Sequence, residues 1–402
     1  MRTILIVGCG FPQLSLIRAA KRCGLRVVGA DKNPLAIGVG LCDDFEELST
    51  SDVDGLCDFV RRAQIQAMTT TGSEVSLRAT ASVAARLSIP FYADPETVRL
   101  CQDKDAMRAR YASAGLAVPS FVRCDNSGDA LTFAKAHGYP LVVKPARGWG
   151  QRGVARVDHD AELEVAVGEA LAHSRSAGLP SAVVEEWLEG REYSVNGWIE
   201  DGTLVSYCVT ERLTIHGRRP LGVMVAEVYP SGLGPIDEDR VVAEARAGAA
   251  ALGHVRGPCY SQVALGQSRC VLFETAARMG GGFDADVTRL ASGVDLYDRI
   301  LGVALGDRSL ERSGSATPRH GGAIAKFLIG KPGLLRSVSG LDAARAIDGV
   351  DDVQVFVPPG QHVMPLTDSA KRAGYVLAHG ETREQATERA DAALGEIRLD
   401  TT

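Results

Sequence analysis

A lysine at the end of an apolar strand, directly before a glycine-rich loop, has the chemistry of a phosphate site. Lys144 closes the run 139–145, and the loop 147–153 follows at once. Backbone N–H groups of such a loop can surround phosphate oxygens, and its glycines let it close as a lid. Lys144 would add a point charge and Lys104 a second one, although a lysine taken singly is usually a solvated surface residue. The glycines of the loop are Gly148, Gly150 and Gly153.

Oxygen-bearing side chains lie on two later segments, 259–265 and 269–275, which both read as strands. If these strands form a hairpin, Gln262 and Glu274 lie side by side on one face. Amide and carboxylate oxygens suit Mg²⁺, which takes further ligands from substrate phosphates. Arg278, just before a triple glycine, could neutralise charge on a transferred phosphoryl group or a carboxylate. A surface ion pair on a hairpin edge explains the same residues equally well when the motif is taken alone.

An acidic strand end at 183–192 offers the groups that a nucleoside needs. A backbone segment at a strand end supplies one acceptor for the exocyclic amine of adenine and one donor for its N1. Glu192 could accept the ribose hydroxyls. Taken alone, a solvated acidic turn is the better explanation. The residues of interest are Glu185, Glu186, Trp187, Leu188 and Glu192.

The turn Gly8-Cys9-Gly10 after the first strand suggests a dinucleotide site, which would make the protein an NAD-dependent oxidoreductase. The dinucleotide fingerprint needs a third glycine three residues after the second, and Gln13 stands there. Asp31 has the spacing of a ribose-binding acid but is weak evidence alone. A plain α/β turn is the preferred interpretation.

The elements that must position these residues change along the chain. The first hundred residues alternate strand and helix, which predicts a parallel sheet covered by helices. Polar residues 307–320 predict a linker or long loop. Asp237 is a predicted helix N-cap, and Thr382 with Gln385 forms a predicted capping box. Predicted strands are 3–7, 26–30, 67–71, 89–93, 139–145, 181–186, 192–199, 259–265, 269–275, 323–329, 353–357 and 374–379, and a helix is predicted over 101–114.

Composition excludes several classes of protein. The 402 residues are 45% apolar and 23% charged, so long disorder and fibrous repeats are excluded. No apolar run is long enough to span a membrane, and a net charge of −6 argues against nucleic-acid or membrane partners. The nine cysteines are odd in number and widely spaced, and the start of the chain reads as a strand and not as a signal peptide. A cytoplasmic location is therefore expected.

The order of these motifs resembles the ATP-grasp superfamily of ligases, in its L-amino-acid ligase, PurK and biotin-carboxylase-like branch. The resemblance implies an α/β and α+β fold with three parts. These are an N-terminal parallel α/β domain (1–100), a two-lobed ATP-grasp domain (101–306) with a lid-like subdomain at about 118–190, and a small C-terminal α+β domain (315–402). The matching segments are 103–104, 142–145, 147–153, 185–194, 262–264, 274–281 and 374–378.

The resemblance also implies roles for individual residues, with ATP and Mg²⁺ (or Mn²⁺) as cofactors. Lys104 and Lys144 would hold the phosphates, and Arg278 would face an acyl-phosphate. Gln262 and Glu274 would hold the metal. Ala276 stands where the family commonly has Asn, so one ligand of a second metal is missing and a water or another acid must replace it. Glu185 and the backbone at Trp187-Leu188 would hold adenine, and Glu192 the ribose.

The substrate is expected near the triple glycine, where acids could hold an ammonium group. For Arg218, Arg219 and Glu227 on a neighbouring segment, ordinary surface charge is the preferred explanation. The candidate substrate residues are Glu227, Gly281, Gly282, Asp284, Asp286 and Arg289.

The expected reaction is carboxylate–amine ligation through an acyl-phosphate, with a small carboxylate and a small amine as substrates. Lys144 and Arg278 would be the catalytic residues. The alternatives are a carboxyphosphate-forming enzyme of the PurK or carbamoyl-phosphate synthase kind, and an ATP-binding regulatory module that does no chemistry. Relatives of this architecture are frequently dimers, so a homodimer is an expectation of the resemblance alone.

Overall fold

Four strands near the amino terminus form a parallel sheet in the order β3-β2-β1-β4. The computed structural model describes residues 2–217, 221–311 and 320–402. Residues 4–7 of β1 are fully buried, as expected for a strand with helices on both faces. The predicted parallel α/β arrangement is thus confirmed. The elements are β1 Thr3–Val7, α1 Leu14–Arg22, β2 Arg26–Asp31, β3 Asp44–Glu47, α2 Val53–Arg62, β4 Met68–Thr69 and α3 Glu74–Leu87.

The predicted strand at 89–93 is wrong. Pro90 lacks a backbone N–H, so the segment is poorly suited to a ladder inside a sheet. The segment is held by side chains instead: Tyr92 is buried, and its hydroxyl donates a hydrogen bond of 2.7 Å to the Thr70 carbonyl. The apolar residues of segment 89–93 do not alternate with polar ones, and the segment is a buried connection and not a strand.

The predicted single helix over 101–114 is two helices, α4 Pro95–Gln102 and α5 Lys104–Ser113. They meet at Asp103, whose backbone is extended with φ −94° and ψ 100°. The Asp103 carboxylate accepts hydrogen bonds of 2.6 and 2.8 Å from Arg147. The break places Lys104 at the start of α5, where its backbone N–H donates to the Ala146 carbonyl.

A second sheet is antiparallel and has the order β5-β8-β6-β7. We call it the lid sheet. Lys144 pairs with Val183, and Val142 pairs with Glu185, so these four residues share one face. The opposite face packs on two helices and forms its own core. The elements are β5 Phe121–Cys124, α6 Ser127–His137, β6 Leu141–Pro145, β7 Ala155–Val157, α7 Asp160–Ser176 and β8 Ala182–Glu186.

The third sheet has eight strands in the order β13-β12-β9-β10-β11-β14-β18-β16, and we call it the main sheet. Strands from the tail (β14, β18 and β16) extend the same sheet that carries Gln262 and Glu274. The predicted hairpin of β12 and β13 is present, with Gln262 directly opposite Glu274. Its elements begin with β9 Arg191–Glu200, β10 Thr203–His216, β11 Leu221–Tyr229, α8 Pro235–Ala251, β12 Gly257–Leu265, β13 Cys270–Ala276, α9 Asp284–Ser292, α10 Leu296–Leu305 and α11 Arg308–Glu311.

The tail adds a small three-stranded sheet, β17-β15-β19, beside the main sheet. Its last helix begins as predicted, because the Thr382 hydroxyl accepts from the Gln385 N–H. The Gln385 side chain accepts in return from the N–H of Glu381, one residue before the cap. The elements are β14 Gly322–Leu328, β15 Gly333–Ser339, α12 Leu341–Arg345, β16 Val350–Val355, β17 His362–Val363, β18 Gly374–Gly380, α13 Arg383–Glu396 and β19 Arg398–Thr401.

Two local predictions need correction. The N-cap of α8 is Gly234 with Pro235 at the first helical position, so Asp237 lies in the first turn. Proline is well suited to that position because its missing N–H has no helical partner there. The predicted linker 307–320 includes α11, and residues 312–319 lie outside the described residues.

The predicted domain boundaries stay predictions. The boundary at residue 100 falls within α4, and the tail strands share the main sheet. In the ranges 2–217, 221–311 and 320–402, no helix is long and apolar enough to cross a membrane. All nine cysteines lie in these ranges as free thiols.

We expect Gly197→Ala to lower the free energy of unfolding by about 1–3 kcal/mol, the usual cost of overpacking. Gly197 lies in β9, and an added Cβ would sit 2.3 Å from the Ser206 carbonyl oxygen of β10. The matched control is Gly168→Ala in α7, where no atom lies within 4 Å of the added Cβ. The free energy of unfolding of this control should rise by about 0.5–1 kcal/mol, because alanine is more favourable than glycine inside a helix. Denaturant unfolding of both variants tests the difference, and equal effects would contradict it.

Candidate functional site

A cavity of about 370 Å³ lies where the lid sheet, the main sheet and the amino-terminal layer meet. Phe11, Pro12 and Glu74 reach it from the amino-terminal layer, and Ser369 and Arg372 reach it from the tail. The cavity brings together most residues that the sequence suggested, although their roles stay predictions. These are Lys104, Lys144, Gly148, Gly150, Glu185, Glu186, Trp187, Leu188, Glu192, Gln262, Glu274, Arg278, Gly281 and Gly282.

Lys144 and Glu185 form a buried ion pair on the cavity-facing side of the lid sheet. Lys144 Nζ lies 2.6 Å from Glu185 Oε2, and Arg108 Nε lies 2.9 Å from Glu185 Oε1. Burial alone would raise the pKa of Glu185, but the charges of Arg108 and Lys144 outweigh it and lower that pKa to about 2. Glu185 is 2% exposed and Arg108 is 1% exposed. The carboxylate of Glu185 therefore fixes the Lys144 ammonium at the cavity wall.

Lys104 is tied to the glycine-rich loop. Its Nζ donates a hydrogen bond of 2.9 Å to the Gly148 carbonyl. Burial lowers the pKa of Lys104, and the nearby charge of Lys144 lowers it further, against the opposing charge of Glu274. Lys104 and Lys144 both line the cavity, and two ammonium groups in one cavity favour the binding of an anion. Gly153 does not line the cavity: an added Cβ there would meet the His173 ring at 2.7 Å, at the base of the loop.

The loop tip rests on the tail segment 368–370. The Ser369 N–H donates to the Gly150 carbonyl at 3.0 Å, and the Ser369 hydroxyl bonds to the Gln151 side chain. Gly150 and Gln151 both have positive φ, of 69° and 63°. A glycine suits that conformation, while Gln151 holds it through its side-chain contact.

Apolar and aromatic side chains line the part of the cavity beside the end of β8. Val142, Trp187, Leu188 and Phe273 lie here, which suits the flat face of a base. The Arg156 guanidinium stacks over the Trp187 ring at 4.7 Å. The Glu186 carboxylate accepts from the Ser120 N–H and from Arg269, so it fixes the chain around this corner.

Glu192, the candidate ribose residue, is paired with an arginine that the sequence did not suggest. Arg212 Nε lies 3.3 Å from Glu192 Oε2, and Arg212 also donates to the Tyr260 hydroxyl. Both Arg212 and Tyr260 line the cavity.

Gln262 and Glu274 offer two oxygen ligands from adjacent strands. The Gln262 amide nitrogen donates to the Tyr260 hydroxyl at 2.8 Å, which leaves its carbonyl oxygen as an acceptor. In the described ranges, no group of three or more His, Cys, Asp or Glu is arranged to hold a metal ion. Ala276 is fully buried and offers no ligand. This donor set fits Mg²⁺ only if phosphate oxygens complete its shell, which is how Mg²⁺ is usually held in phosphoryl-transfer sites.

Arg278 bridges the hairpin strand end to the amino-terminal layer. Its Nε lies 2.6 Å from Glu74 Oε1, and its Nη1 donates 2.8 Å to the Met279 carbonyl. Burial alone would lower the pKa of Arg278, but the charges of Glu74 and Glu274 raise it. Glu74 Oε2 has no hydrogen-bond partner in the described residues, so this carboxylate is incompletely satisfied. Arg278 is thus held firmly beside Glu274 in a charged state.

Two of the candidate substrate acids lie behind the cavity wall. Glu227 is fully buried and accepts from Asn196 at 3.3 Å and from Thr210. Asp284 accepts 2.9 Å from the Gly282 N–H. Burial raises the pKa of Glu227 well above its ordinary value, and the neighbouring Asp284 raises it further. Neither acid lines the cavity.

The structure does not bring Asp286 and Arg289 to the cavity. Asp286 accepts 2.8 Å from the buried Tyr297 hydroxyl, and burial raises the pKa of Asp286 to about 6. Arg289 pairs with Asp351 at 2.8 Å. Both side chains are engaged elsewhere because α9 turns that face away from the cavity. Arg218 and Arg219 lie outside the described residues.

A side chain of the protein itself occupies the space beside the turn at Gly8–Gly10. An added Cβ at Gly8 would lie 3.0 Å from the Gln13 side chain, whose Nε2 donates to the Thr71 carbonyl at 2.6 Å. The Asp31 carboxylate accepts from the Cys9 and Asn33 N–H groups. These contacts support the plain α/β turn over a dinucleotide site.

Sequence reasoning missed Glu74, Arg108, Arg212 and Arg372 at the cavity. One signal was available: Arg108 stands four residues after Lys104, so both lie on one face of α5. The other three come from distant elements, and no local spacing marks them.

We expect Glu185→Gln to lower the free energy of unfolding at pH 7 by about 3–5 kcal/mol, because the charges of Arg108 and Lys144 would remain buried without a partner. Glu185 has a lowered pKa in the folded protein, so its stabilisation exists above pH 4.5 and is lost as pH falls toward about 2. The gap between variant and wild type should therefore narrow over that window. The control is Glu96→Gln, which breaks an exposed pair with Arg99. Parallel pH profiles for wild type and Glu185→Gln would contradict the assignment.

Comparisons with known proteins agree with this geometry. Residues 103–312 match the family model described as carbamoyl-phosphate synthase L chain, ATP binding domain, and residues 326–402 match L-amino acid ligase C-terminal domain 2. An uncharacterised protein of Sinorhizobium fredii is 30% identical over 73% of this chain and 60% of its own length. A D-alanine–D-alanine ligase of Streptomyces coelicolor is 39% identical over 23% of this chain and 25% of its own length. The chain thus spans less than two thirds of these curated relatives.

Solved structures show the same fold over the whole chain. An L-amino acid ligase from Bacillus licheniformis has a TM-score of 0.81 at 20% identity, with 100% of this chain and 99% of that chain covered. An N5-carboxyaminoimidazole ribonucleotide synthetase from Thermotoga maritima has a TM-score of 0.75 at 18% identity, with both chains fully covered. By the family model that matches more than half of its length, the chain belongs to the ATP-grasp ligases.

Proposed function

We propose that the protein is an ATP-dependent carboxylate–amine ligase that releases ADP and phosphate. The observation that carries this proposal is that Lys144 of the lid sheet lines one cavity with Glu274 and Arg278, which lie in and just after β13 of the main sheet. A phosphate-binding cation, a metal-binding acid and a fixed guanidinium are the parts that phosphoryl transfer to a carboxylate needs. The family membership supports the same reaction class.

ATP would lie with its base between Val142, Trp187, Leu188 and Phe273, and its phosphates toward Lys104 and Lys144. A substrate carboxylate near Gly281 would attack the terminal phosphorus and displace ADP, which turns a poor leaving group on the acyl carbon into a good one. An amine would then attack the acyl carbon and displace phosphate. When bound through Gln262, Glu274 and phosphate oxygens, Mg²⁺ would neutralise charge on the transferred group.

The chain itself would supply position and charge for these steps. Arg278, fixed by Glu74, would stabilise the negative charge that builds up on the phosphorylated carboxylate. The loop over Gly148 and Gly150, held at Ser369, would exclude water that could hydrolyse the intermediate. The proton that the attacking amine loses would leave with the departing phosphate, which is a base.

The proposal is tested by phosphate release from MgATP across a panel of carboxylates with and without amines. Release that requires both a carboxylate and an amine, with the amide recovered as product, supports it. Release with bicarbonate alone would instead support a carboxyphosphate-forming enzyme. Nucleotide binding without release across the panel would leave a binding module and contradict ligation.

We expect Lys144→Ala to weaken MgATP binding, and Arg278→Ala to slow turnover by about 10²- to 10³-fold, the range found when one contact to a developing charge is removed. Steady-state kinetics and nucleotide titration separate the two effects. Lys135→Ala, on the exposed face of α6, is the matched control. Normal turnover in Arg278→Ala would refute its assigned role.

A further inference from the structure

Arg372 is a buried arginine that no carboxylate of the described residues contacts directly. Its side chain is 5% exposed and lines the cavity. Nε and Nη2 both donate to the Met224 carbonyl, at 3.1 and 2.8 Å, and Nη2 has a longer contact of 3.4 Å with the Ser369 hydroxyl. In the described residues, no carboxylate lies within 4 Å of this guanidinium, and Nη1 makes no hydrogen bond. A buried charge of this kind is costly unless something pairs with it.

The other guanidinium groups at the cavity differ in this respect. Arg108 pairs with Glu185, Arg212 with Glu192 and Arg278 with Glu74. The Arg152 side chain lies 3.6 Å from the Asp368 carboxylate. Within the described ranges, Arg372 is therefore the cavity-lining arginine that has no direct ion pair, and the acids Asp284 and Glu227 act on it only from a greater distance.

The surroundings hold Arg372 rigidly. Its guanidinium stacks over the Phe327 ring at 3.7 Å, and Phe327 lies in β14 of the main sheet. Burial lowers the pKa of Arg372 to about 9, and the charge of Arg212 lowers it further, against the opposing charges of Asp284 and Glu227. Arg212 lines the same cavity, and two positive side chains in one cavity favour the binding of an anion, which would also offset the cost of burying Arg372.

The phosphates of a bound nucleotide are a poor match for the positive charge of Arg372. The phosphate-binding candidates Lys104 and Lys144 belong to α5 and to the lid sheet, whereas Arg372 is fixed to β11 and β14 of the main sheet. Gly281, Gly282 and Met224 line the cavity on the same side as Arg372. This is the region where the substrate, and not the triphosphate, is expected.

We propose that Arg372, with Arg212 beside it, binds an oxyanion that does not react, a carboxylate or a phosphate carried by one of the two substrates. This inference rests on the proposed ligase function and narrows its substrate class to molecules with an extra negative group. The planar fork of an arginine matches such a group with two parallel hydrogen bonds.

The test uses matched pairs that differ by one negative group: glutamate and glutamine, aspartate and asparagine, O-phosphoserine and serine, glycine and glycinamide. Two readouts are taken with the full chain, phosphate release from MgATP and the thermal unfolding midpoint in the presence of MgADP. We expect the anionic member of at least one pair to be used and to raise the midpoint, and the neutral member not to. The phosphoserine pair separates a phosphate site from a carboxylate site.

The variants are Arg372→Gln, Arg372→Lys and the control Arg345→Gln, which lies on the exposed part of α12. In Arg372→Gln we expect KM for the anionic substrate to rise about 10- to 100-fold, the range for loss of a charged hydrogen bond, with KM for MgATP unchanged. Arg372→Lys should recover part of the loss, and Arg345→Gln should match wild type.

The outcomes separate this inference from the proposed function. If no pair supports phosphate release but the anionic member still raises the midpoint in wild type and not in Arg372→Gln, the ligase function fails and the oxyanion site stands. Equal responses to both members of every pair overturn the site. So does an unchanged preference in Arg372→Gln, or a loss confined to KM for MgATP, since Arg372 would then serve the nucleotide.

Discussion

One buried guanidinium joins the two sheets on which the candidate site depends. Arg108 leaves α5, pairs with Glu185 in the lid sheet and donates to the Phe273 carbonyl in the main sheet. Phe273 directly precedes Glu274, and Glu185 holds Lys144. The relative position of the lysine and the acid is therefore fixed by a charge that cannot be removed from this site without leaving others unpaired. Geometry of this kind is what electrostatic preorganisation requires.

The amino-terminal layer contributes to the same site through a second charge pair. Glu74 stands in the first turn of α3 and reaches Arg278 across the boundary with the main sheet. The parallel sheet, whose glycine turn is filled by Gln13, therefore contributes an acid that holds an arginine. Together with Arg372 from the tail, this makes the cavity a product of the whole chain, because no single segment holds a complete set of charges.

The sequence was sufficient to predict those features that depend on residues close together along the chain. The register of Gln262 against Glu274 followed from two strands and a short connection, and Lys144 followed from an apolar strand and a glycine loop. The helix break at Asp103 was missed because its cause is a bond to Arg147, which lies on another element. The strand predicted at 89–93 failed because apolar residues and Pro90 mark a buried connection as readily as a strand. Glu74, Arg212 and Arg372 were missed because their meeting depends on how distant elements pack, which spacing along one element cannot reveal.

The contact between the glycine-rich loop and Ser369 affects how small molecules enter the cavity. One backbone bond and one side-chain bond join Gly150 and Gln151 to this serine. Hydrogen bonds of this kind contribute only about 0.5–1.5 kcal/mol each to stability. Thermal motion can therefore break these two bonds and form them again many times a second, while both sheets keep their structure. While the loop is open, small molecules can enter and leave the cavity beneath it. The charged side chains that line the cavity keep their positions during this exchange.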